Sequence, residues 1–146
     1  MKTGTLAYPA KFKKEREGGY SVSFPDFPEG LTQGETRDDA FRMAIDCLQA
    51  CMEYRLEAKQ DIPGPSVAKR GEVEIPVSLE VAPKIALYQA MRDAKYSNVR
   101  LAGKLNISET VVRRMLDPRH KSKPEQYTRA LMALGRAVQV SIVPLN

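Results

Sequence analysis

Apolar and polar residues alternate in two short segments near the start of the chain. Residues 5–12 place four apolar side chains on one face with a period of two, and residues 20–24 repeat this pattern. Glu17, Gly18 and Gly19 lie between the two segments and are typical of a turn. The pattern predicts two antiparallel strands joined as a β-hairpin.

Prolines limit how this sheet can continue. Pro9 lies inside the first segment and indicates an edge strand or a bulge, because proline has no N–H group for the ladder. Pro25 and Pro28 interrupt pairing after the second strand, and residues 31–35 then predict a short third strand. Residues 73–79 alternate again and predict a strand that completes this part of the chain.

From Thr36 onward the hydrophobic period changes to that of an α-helix. Thr36 and Asp39 have the spacing of a helix start, in which the hydroxyl and the carboxylate accept hydrogen bonds from unpaired N–H groups of the first turn. Seven apolar residues follow at helical spacing, namely Ala40, Phe41, Ala44, Ile45, Leu48, Cys51 and Met52. A small β-sheet with one long helix on one face predicts an α+β domain over residues 1–80.

Helical periodicity dominates the second part of the chain. Residues 83–95 carry an apolar stripe over about three turns, and their leading proline suits the first turn of a helix. Ser122 and Glu125 repeat the capping spacing and predict the start of another helix, which ends at Gly135. The sequence therefore predicts an all-α second domain over residues 81–146.

Between these two helices the sequence fits a tight turn that joins two crossed helices. Leu101 and Leu105 lie four residues apart on one helix face, and Ala102 is small where a second helix must approach closely. Asn106 is one of the few non-glycine residues that tolerate a positive φ. These residues predict that the first of the two helices ends at a sharp turn.

The second of the crossed helices follows at once. Ile107 fills the corner, Ser108 caps the helix, and Val112 and Met115 return to the shared core. The spacing over residues 98–116 resembles the helix-turn-helix of XRE-like transcriptional regulators, although that motif more commonly has glycine at the turn. Any three-helix domain can show the same apolar spacing, so the polar positions decide whether this domain binds DNA.

The polar face of the second helix carries the residues expected of a recognition helix. Such a helix needs base-reading side chains near its N-terminus and cations around them for phosphates. We predict that the base edges are approached by Ser108, Glu109, Thr110 and Arg113. We predict that the phosphates are neutralised by Arg114, Arg119, Lys121 and Lys123. DNA is favoured over RNA because a rigid helix fits the major groove of B-form DNA and no aromatic stacking platform is evident. The alternative is that Arg113 and Arg114 form a solvated face without a ligand.

Alternation returns at the end of the chain. Val138, Val140 and Ile142 alternate with polar residues and predict a C-terminal strand. A lone strand leaves its ladder unpaired. Pairing with the same strand of a second chain predicts a two-fold homodimer, or a higher even-numbered oligomer, that spaces two recognition helices for a palindromic site. The alternative is pairing with residues 73–79 of the same chain.

Charge divides the chain at the same boundary. Residues 1–82 hold 11 basic and 14 acidic side chains, a net charge of −3, whereas residues 83–146 hold 12 basic and 4 acidic ones, a net charge of +8. The basic half attracts a polyanion, and the acidic half suits a basic protein. No stretch approaches the roughly 20 apolar residues of a membrane span, and the N-terminus lacks a secretory signal, so we expect a cytoplasmic protein.

Neither the cysteines nor the histidine suggests a metal or cofactor site. Cys47 and Cys51 are four residues apart in a predicted helix and are expected to fill the core. A zinc site is excluded because two thiols do not complete a tetrahedron and the only histidine, His120, is remote in sequence. His120 lies in a basic loop and is expected to contact phosphate or solvent rather than to act as a base.

A longer string identifies a family for the first domain. The sequence GGYSVSFPDFP at residues 18–28, continued by TQGET at residues 32–36 and by Ala40, resembles the N-terminal domain of the HicB family of antitoxins, a degenerate ribonuclease H-like fold. The resemblance implies an antitoxin of a type II toxin-antitoxin system. Such a protein neutralises a HicA-like toxin, a small basic ribonuclease that cuts messenger RNA, and represses its own operon by binding operator DNA. The candidate toxin contacts, from their place in this string, are Tyr20, Asp26 and Phe27.

Two other functions remain open at this point. One is a free-standing helix-turn-helix repressor whose N-terminal domain senses a small ligand. The other is a metal-dependent nuclease, which needs carboxylates converging on ions about 4 Å apart. The candidate acids are Asp26, Glu29, Glu35, Asp38, Asp39 and Asp46. The first strand contains no acid, and three of the candidates crowd a helix start, where the helix dipole favours them, so we expect no enzyme activity.

Overall fold

The computed structural model describes residues 4–145 and divides the chain into two compact units, Met1–Ala82 and Pro83–Asn146. The first unit contains β1 (Ala7–Lys14), β2 (Tyr20–Phe24), β3 (Phe27–Gly34), α1 (Arg37–Glu57) and β4 (Glu72–Pro76). Four helices follow: α2 (Ala82–Ala94), α3 (Asn98–Leu105), α4 (Glu109–Leu116) and α5 (Pro124–Ala133). The predicted α+β class is confirmed.

The four strands form one antiparallel sheet in the order β3-β2-β1-β4. The prediction of an edge position for Pro9 is wrong, because β1 lies inside the sheet. The N–H of Val77 donates to the carbonyl of Leu6 at 2.9 Å, so the pair formed by Pro9 and Glu74 is a non-hydrogen-bonded one. The nitrogen of Pro9 therefore points away from β4, at a level where the β2 pairing has not yet begun.

The third strand is longer than predicted. It begins at Phe27, directly after a two-residue turn at Pro25 and Asp26, and the register shifts between Ser23 and Phe24. Pro28 lies within this strand instead of interrupting it. Because β3 is at the edge of the sheet, a residue without an N–H group is tolerated there.

Helix α1 covers one face of the sheet and begins as the sequence predicts. The N–H of Asp39 donates to Thr36 Oγ1 at 3.0 Å, and Asp39 Oδ2 accepts from the N–H of Glu35 at 3.0 Å. The helix lies very close to β3, because a Cβ atom added at Gly34 would stand 2.3 Å from the nitrogen of Ala40. The core of this unit is fully buried at Tyr8, Ala10, Phe27, Ala40, Ala44, Leu48, Met52 and Ile75.

The helical unit has its own apolar core. The most deeply buried residues are Leu87, Ala90, Leu101, Val112, Met115, Ala130 and Leu131. The predicted capping pair Ser122 and Glu125 is wrong, since α5 begins at Pro124 with Lys123 as its N-cap. Proline suits the first helical position because its φ is preset and the missing N–H would lack an intrahelical partner anyway. The N–H of Lys123 instead donates to Gln126 Oε1 at 3.3 Å.

The predicted C-terminal strand is not formed within the chain. Residues 136–145 have no regular secondary structure, although Val138, Val140 and Ile142 are 58%, 68% and 98% exposed. The alternative of pairing with residues 73–79 is wrong, because across residues 4–145 the only strand paired with β4 is β1. A strand requires a ladder partner, and pairing between two chains stays a prediction. Over the described part of the chain, no helix is both long and apolar enough to cross a membrane.

Replacing Gly34 by alanine is expected to destabilise the first unit. The new methyl group would overlap the backbone at the start of α1, so the helix must shift away from β3. We expect the free energy of unfolding to fall by about 1 to 3 kcal/mol, the usual cost of overpacking. Urea denaturation measures this change. Gly64→Ala is the matched control, since nothing lies within 4 Å of its added Cβ; equal stability of the two variants would contradict the close approach.

Candidate functional sites

The turn between α3 and α4 has the geometry that the sequence predicts. Asn106 adopts φ 54° and ψ 46°, in the left-handed region, and ends α3. The N–H of Ile107 donates to the carbonyl of Ala102 at 3.0 Å, so the chain reverses tightly. Leu101 and Ala102 are buried at the crossing. An asparagine here serves the role that glycine more commonly fills.

Helix α4 begins at a serine cap and presents its apolar side inward. Ser108 Oγ accepts a hydrogen bond from the N–H of Val111 at 3.4 Å, which confirms the predicted cap. Val112 and Met115 are fully buried. The hydroxyl proton of Ser108 stays available for donation, because the cap uses only an acceptor lone pair.

The predicted base-reading side chains on α4 form one exposed cluster. Arg113 Nη2 lies 3.7 Å from Glu109 Oε2 and donates to Thr110 Oγ1 at 3.2 Å. The side chain of Arg113 is 63% exposed, so this ion pair contributes little to stability and exchanges readily for another anion. Arg114 is also exposed on the same helix. The fold therefore places Arg113 against both Glu109 and Thr110, beside the cap that Ser108 provides.

The loop after α4 carries the other predicted cations. Asp117 Oδ1 accepts from the N–H of Arg119 at 2.9 Å and from its Nε at 3.4 Å. The backbone N–H and the guanidinium of Arg119 together hold the pKa of the Asp117 carboxyl below its usual range. Lys121 and Lys123 are exposed. This loop is thus ordered by its own carboxylate and leaves its lysines free to face an anion.

Sequence reasoning missed a buried lysine behind this surface. Lys84 is only 5% exposed. Its Nζ donates to the carbonyl of His120 at 2.7 Å, to the hydroxyl of Tyr127 at 2.9 Å and to the carbonyl of Met115 at 3.3 Å. Burial raises the pKa of Tyr127. The available signal was position, because Lys84 lies three and four residues before the buried Leu87 and Tyr88 and so on the apolar stripe of α2.

A second basic group lies on α3. Arg100 stacks over the ring of Tyr96 at 4.0 Å from its centroid, and Lys104 Nζ donates to the hydroxyl of the same tyrosine at 3.3 Å. The two cations are four residues apart, so they share one exposed helix face. The spacing alone would have identified this pair. It adds two exposed cations on α3 to those predicted from α4 and the loop after it.

The three predicted toxin contacts do not form one surface in the first unit. Phe27 is fully buried, packs edge-on against Tyr8 with ring centroids 5.1 Å apart, and belongs to the core. Asp26 Oδ2 accepts two hydrogen bonds from Ser66, each 3.0 Å long. These bonds tie the β2–β3 turn to the connector, which is the segment 58–71 between α1 and β4. Tyr20 lies at the other end of β2, half-buried beside a shallow open cleft.

The candidate carboxylates of the first unit are dispersed. Glu29 forms a two-point ion pair with Arg55, at 2.8 and 2.9 Å, which lowers the pKa of Glu29. Asp26 and Asp39 hold backbone groups as described above. Among residues 4–145 no three His, Cys, Asp or Glu side chains are grouped so that they could hold a metal ion. Burial raises the pKa of the Cys51 thiol to about 12, so its reactive thiolate form is disfavoured.

The outward side of α1 is acidic. Asp39, Asp46, Glu53 and Glu57 follow one another at steps of seven, seven and four residues, which places them on one helix face. We call this the acidic α1 face. It also exposes apolar surface at Met43 (40%) and Tyr54 (61%). Apolar patches bordered by charge are typical of protein-binding surfaces.

The chain is similar to several known proteins. Residues 7–86 match the family model described as the HicB-like antitoxin of bacterial toxin-antitoxin systems. Antitoxin HicB 1 of Photorhabdus laumondii is 36% identical over 137 residues, which cover 94% of this chain and 87% of that protein. Antitoxin HicB of Escherichia coli K12 is 33% identical over 138 residues, covering 94% of this chain and all of that protein.

A crystal structure of the Burkholderia pseudomallei antitoxin HicB aligns with 80% of this chain and 100% of that chain, at a TM-score of 0.44 and 19% identity. The family model spans more than half of the chain, and the two relatives extend the likeness through α5. The chain therefore belongs to the HicB-like antitoxins of bacterial toxin-antitoxin systems.

Proposed function

We propose that this antitoxin acts through two separate binding surfaces in the cytoplasm. The helical unit binds operator DNA and represses its own operon, and the α+β unit binds and neutralises a HicA-like mRNA interferase. The observation that carries the first role is the exposed cluster of Glu109, Thr110 and Arg113 at the start of α4, followed by a basic loop. The net charge of +8 in this half adds a long-range attraction to phosphates.

The DNA role follows from what each side chain offers. The hydroxyls of Ser108 and Thr110 donate and accept, Glu109 accepts from cytosine, and the guanidinium of Arg113 fits guanine. Their ion pair in the free protein is exposed, so a base can replace either partner at low cost. The cations assigned to the phosphates are Arg114, Arg119, Lys121 and Lys123. The stacked pair Arg100 and Lys104 extends this basic surface on α3.

Arg113→Ala tests this assignment. If Arg113 reads a base, we expect operator binding to weaken by about 1 to 3 kcal/mol, the value of a good bidentate contact. Fluorescence anisotropy with a duplex covering the promoter upstream of the chain's own gene measures the affinity. Arg42→Ala, which removes an exposed arginine from α1, is the control. Unchanged affinity of Arg113→Ala at moderate salt would remove Arg113 from base reading.

The proposed toxin-binding surface is the acidic α1 face together with Tyr20. A basic toxin is attracted by Asp46, Glu53 and Glu57, and the exposed Met43 and Tyr54 supply apolar contact area. Phe27 is left out because it has no accessible surface. Asp26 acts through the connector that it holds at Ser66. We propose no catalytic role for this unit, since several of its candidate carboxylates are engaged in structural bonds.

Reversing charge on α1 tests the toxin surface. We expect Asp46→Lys with Glu53→Lys to weaken toxin capture at least tenfold, about 1.4 kcal/mol, because like charges would then face each other. Co-purification with a tagged, co-expressed HicA-like toxin measures capture. Glu74→Lys with Glu125→Lys carries the same change of net charge outside α1. Equal losses in the two double variants would show that only the overall charge matters.

We propose that the exposed apolar tail joins two copies of the chain. Val138, Val140 and Ile142 alternate with polar residues, and in one chain they lie in solvent without a ladder. Pairing with the same segment of a second chain satisfies the backbone and buries these side chains. The resulting dimer presents two recognition helices to a palindromic operator.

Val140→Asp tests the assembly. A carboxylate within the paired tails is costly to bury, so we expect the variant to be monomeric where the original chain is dimeric. Light scattering coupled to size-exclusion chromatography measures the mass. Val67→Asp is the control, because Val67 is a 90% exposed valine in the other unit. A monomeric original chain, or a dimeric Val140→Asp variant, would contradict the proposed pairing.

A further inference from the structure

Lys84 is the only charged residue that is buried among residues 4–145. Removing an ammonium group from water is costly unless its donors meet acceptors. Three acceptors converge on Nζ: the carbonyls of His120 and Met115 and the hydroxyl of Tyr127. The hydroxyl of Tyr127 donates in turn to the carbonyl of Met115 at 2.8 Å. We call these residues the Lys84 node.

Two of these three acceptors, the carbonyls of Met115 and His120, belong to segments that carry the proposed DNA surface. Met115 lies in the last turn of α4, where carbonyl groups have no intrahelical partner. His120 lies in the loop between Arg119 and Lys121, two of the proposed phosphate contacts. Lys84 therefore hydrogen-bonds the end of α4 and the basic loop from inside the protein. The negative end of the α4 dipole also stabilises its positive charge.

We infer that Lys84 is a positioning residue for DNA binding, which fixes the end of α4 and residues 117–122 so that Arg119 and Lys121 meet phosphates in one arrangement. This inference rests on the DNA-binding role proposed above. Lys84 itself is too deeply buried to touch a phosphate. Holding the loop in place before binding reduces the ordering cost that the complex would otherwise bear.

The salt dependence of DNA binding separates positioning from simple stability. Log K falls as log salt rises, and each lost phosphate contact makes this slope shallower by about 0.9. A buried lysine that only stabilises the fold leaves that slope unchanged in folded protein. Removing a positioning lysine makes the slope shallower although that lysine makes no phosphate contact, because the loop cations are then no longer held against the phosphates.

The test uses the full chain with Lys84→Met, which keeps an unbranched side chain one atom shorter and removes its donors. We expect affinity for the promoter duplex to fall about tenfold. We expect the slope of log K against log salt to become shallower by about 1 to 2, as if two phosphate contacts were lost. Adding Arg119→Ala and Lys121→Ala to Lys84→Met should then cost little more, since coupled residues are not additive. Lys95→Met is the control, because Lys95 is an exposed lysine of the same unit. Any loss of affinity that it causes should add in full to the loss caused by Arg119→Ala and Lys121→Ala. Unchanged affinity and slope in folded Lys84→Met, or additive losses, would overturn the inference.

A milder variant decides the question if Lys84→Met does not fold. Tyr127→Phe keeps the buried ring and removes only the hydroxyl that bridges Lys84 and Met115. We expect the same non-additivity with the loop substitutions, and hydrogen exchange on the order of tenfold faster at the amides of Asp117 and His120. Exchange is measured without DNA. Failure of the original chain to bind the duplex would therefore contradict only the proposed DNA-binding function. Unchanged amide hydrogen exchange in Tyr127→Phe would contradict the positioning role of Lys84.

Discussion

A buried cation can persist only where oxygen acceptors surround it, and the C-terminal unit meets this requirement at Lys84. Two of the acceptors are main-chain carbonyls, from Met115 and His120, so the requirement acts on the path of the backbone. The end of α4 and the loop after it must run where they do for the lysine to be satisfied. The surface that we propose to bind DNA is thus positioned from behind by the electrostatics of the core.

The N-terminal unit is organised by a different constraint, the close approach of α1 to β3. Gly34 lets the helix backbone come within a distance that no side chain would permit. Because one face of α1 is pressed onto the sheet, its acidic residues are directed outward, where water solvates them. The charge difference between the two halves is therefore carried by surfaces, and each half is free to attract a ligand of opposite sign.

Sequence periodicity and capping chemistry predicted most elements because these signals are local. Thr36, Asn106 and Ser108 act within a few residues, and the structure has each in its expected role. The capping pair at Ser122 and Glu125 was a local error, and the other errors arose where distant segments decide. Pro9 is tolerated inside the sheet because of the register with β4, and Lys84 is buried because acceptors 31 to 43 residues away converge on it. Phe27 was chosen for its place in a family string, which cannot distinguish a core residue from a contact.

The tail shows how a local pattern can require a second molecule. Val138, Val140 and Ile142 have the alternation of a strand, yet one chain offers them no ladder. In the dimer that we propose, pairing the tails also joins two helix-turn-helix units. Binding of the second unit to its half-site then becomes an intramolecular step, which raises affinity without any new contact to DNA. An apolar segment that touches no base would thereby contribute to operator recognition.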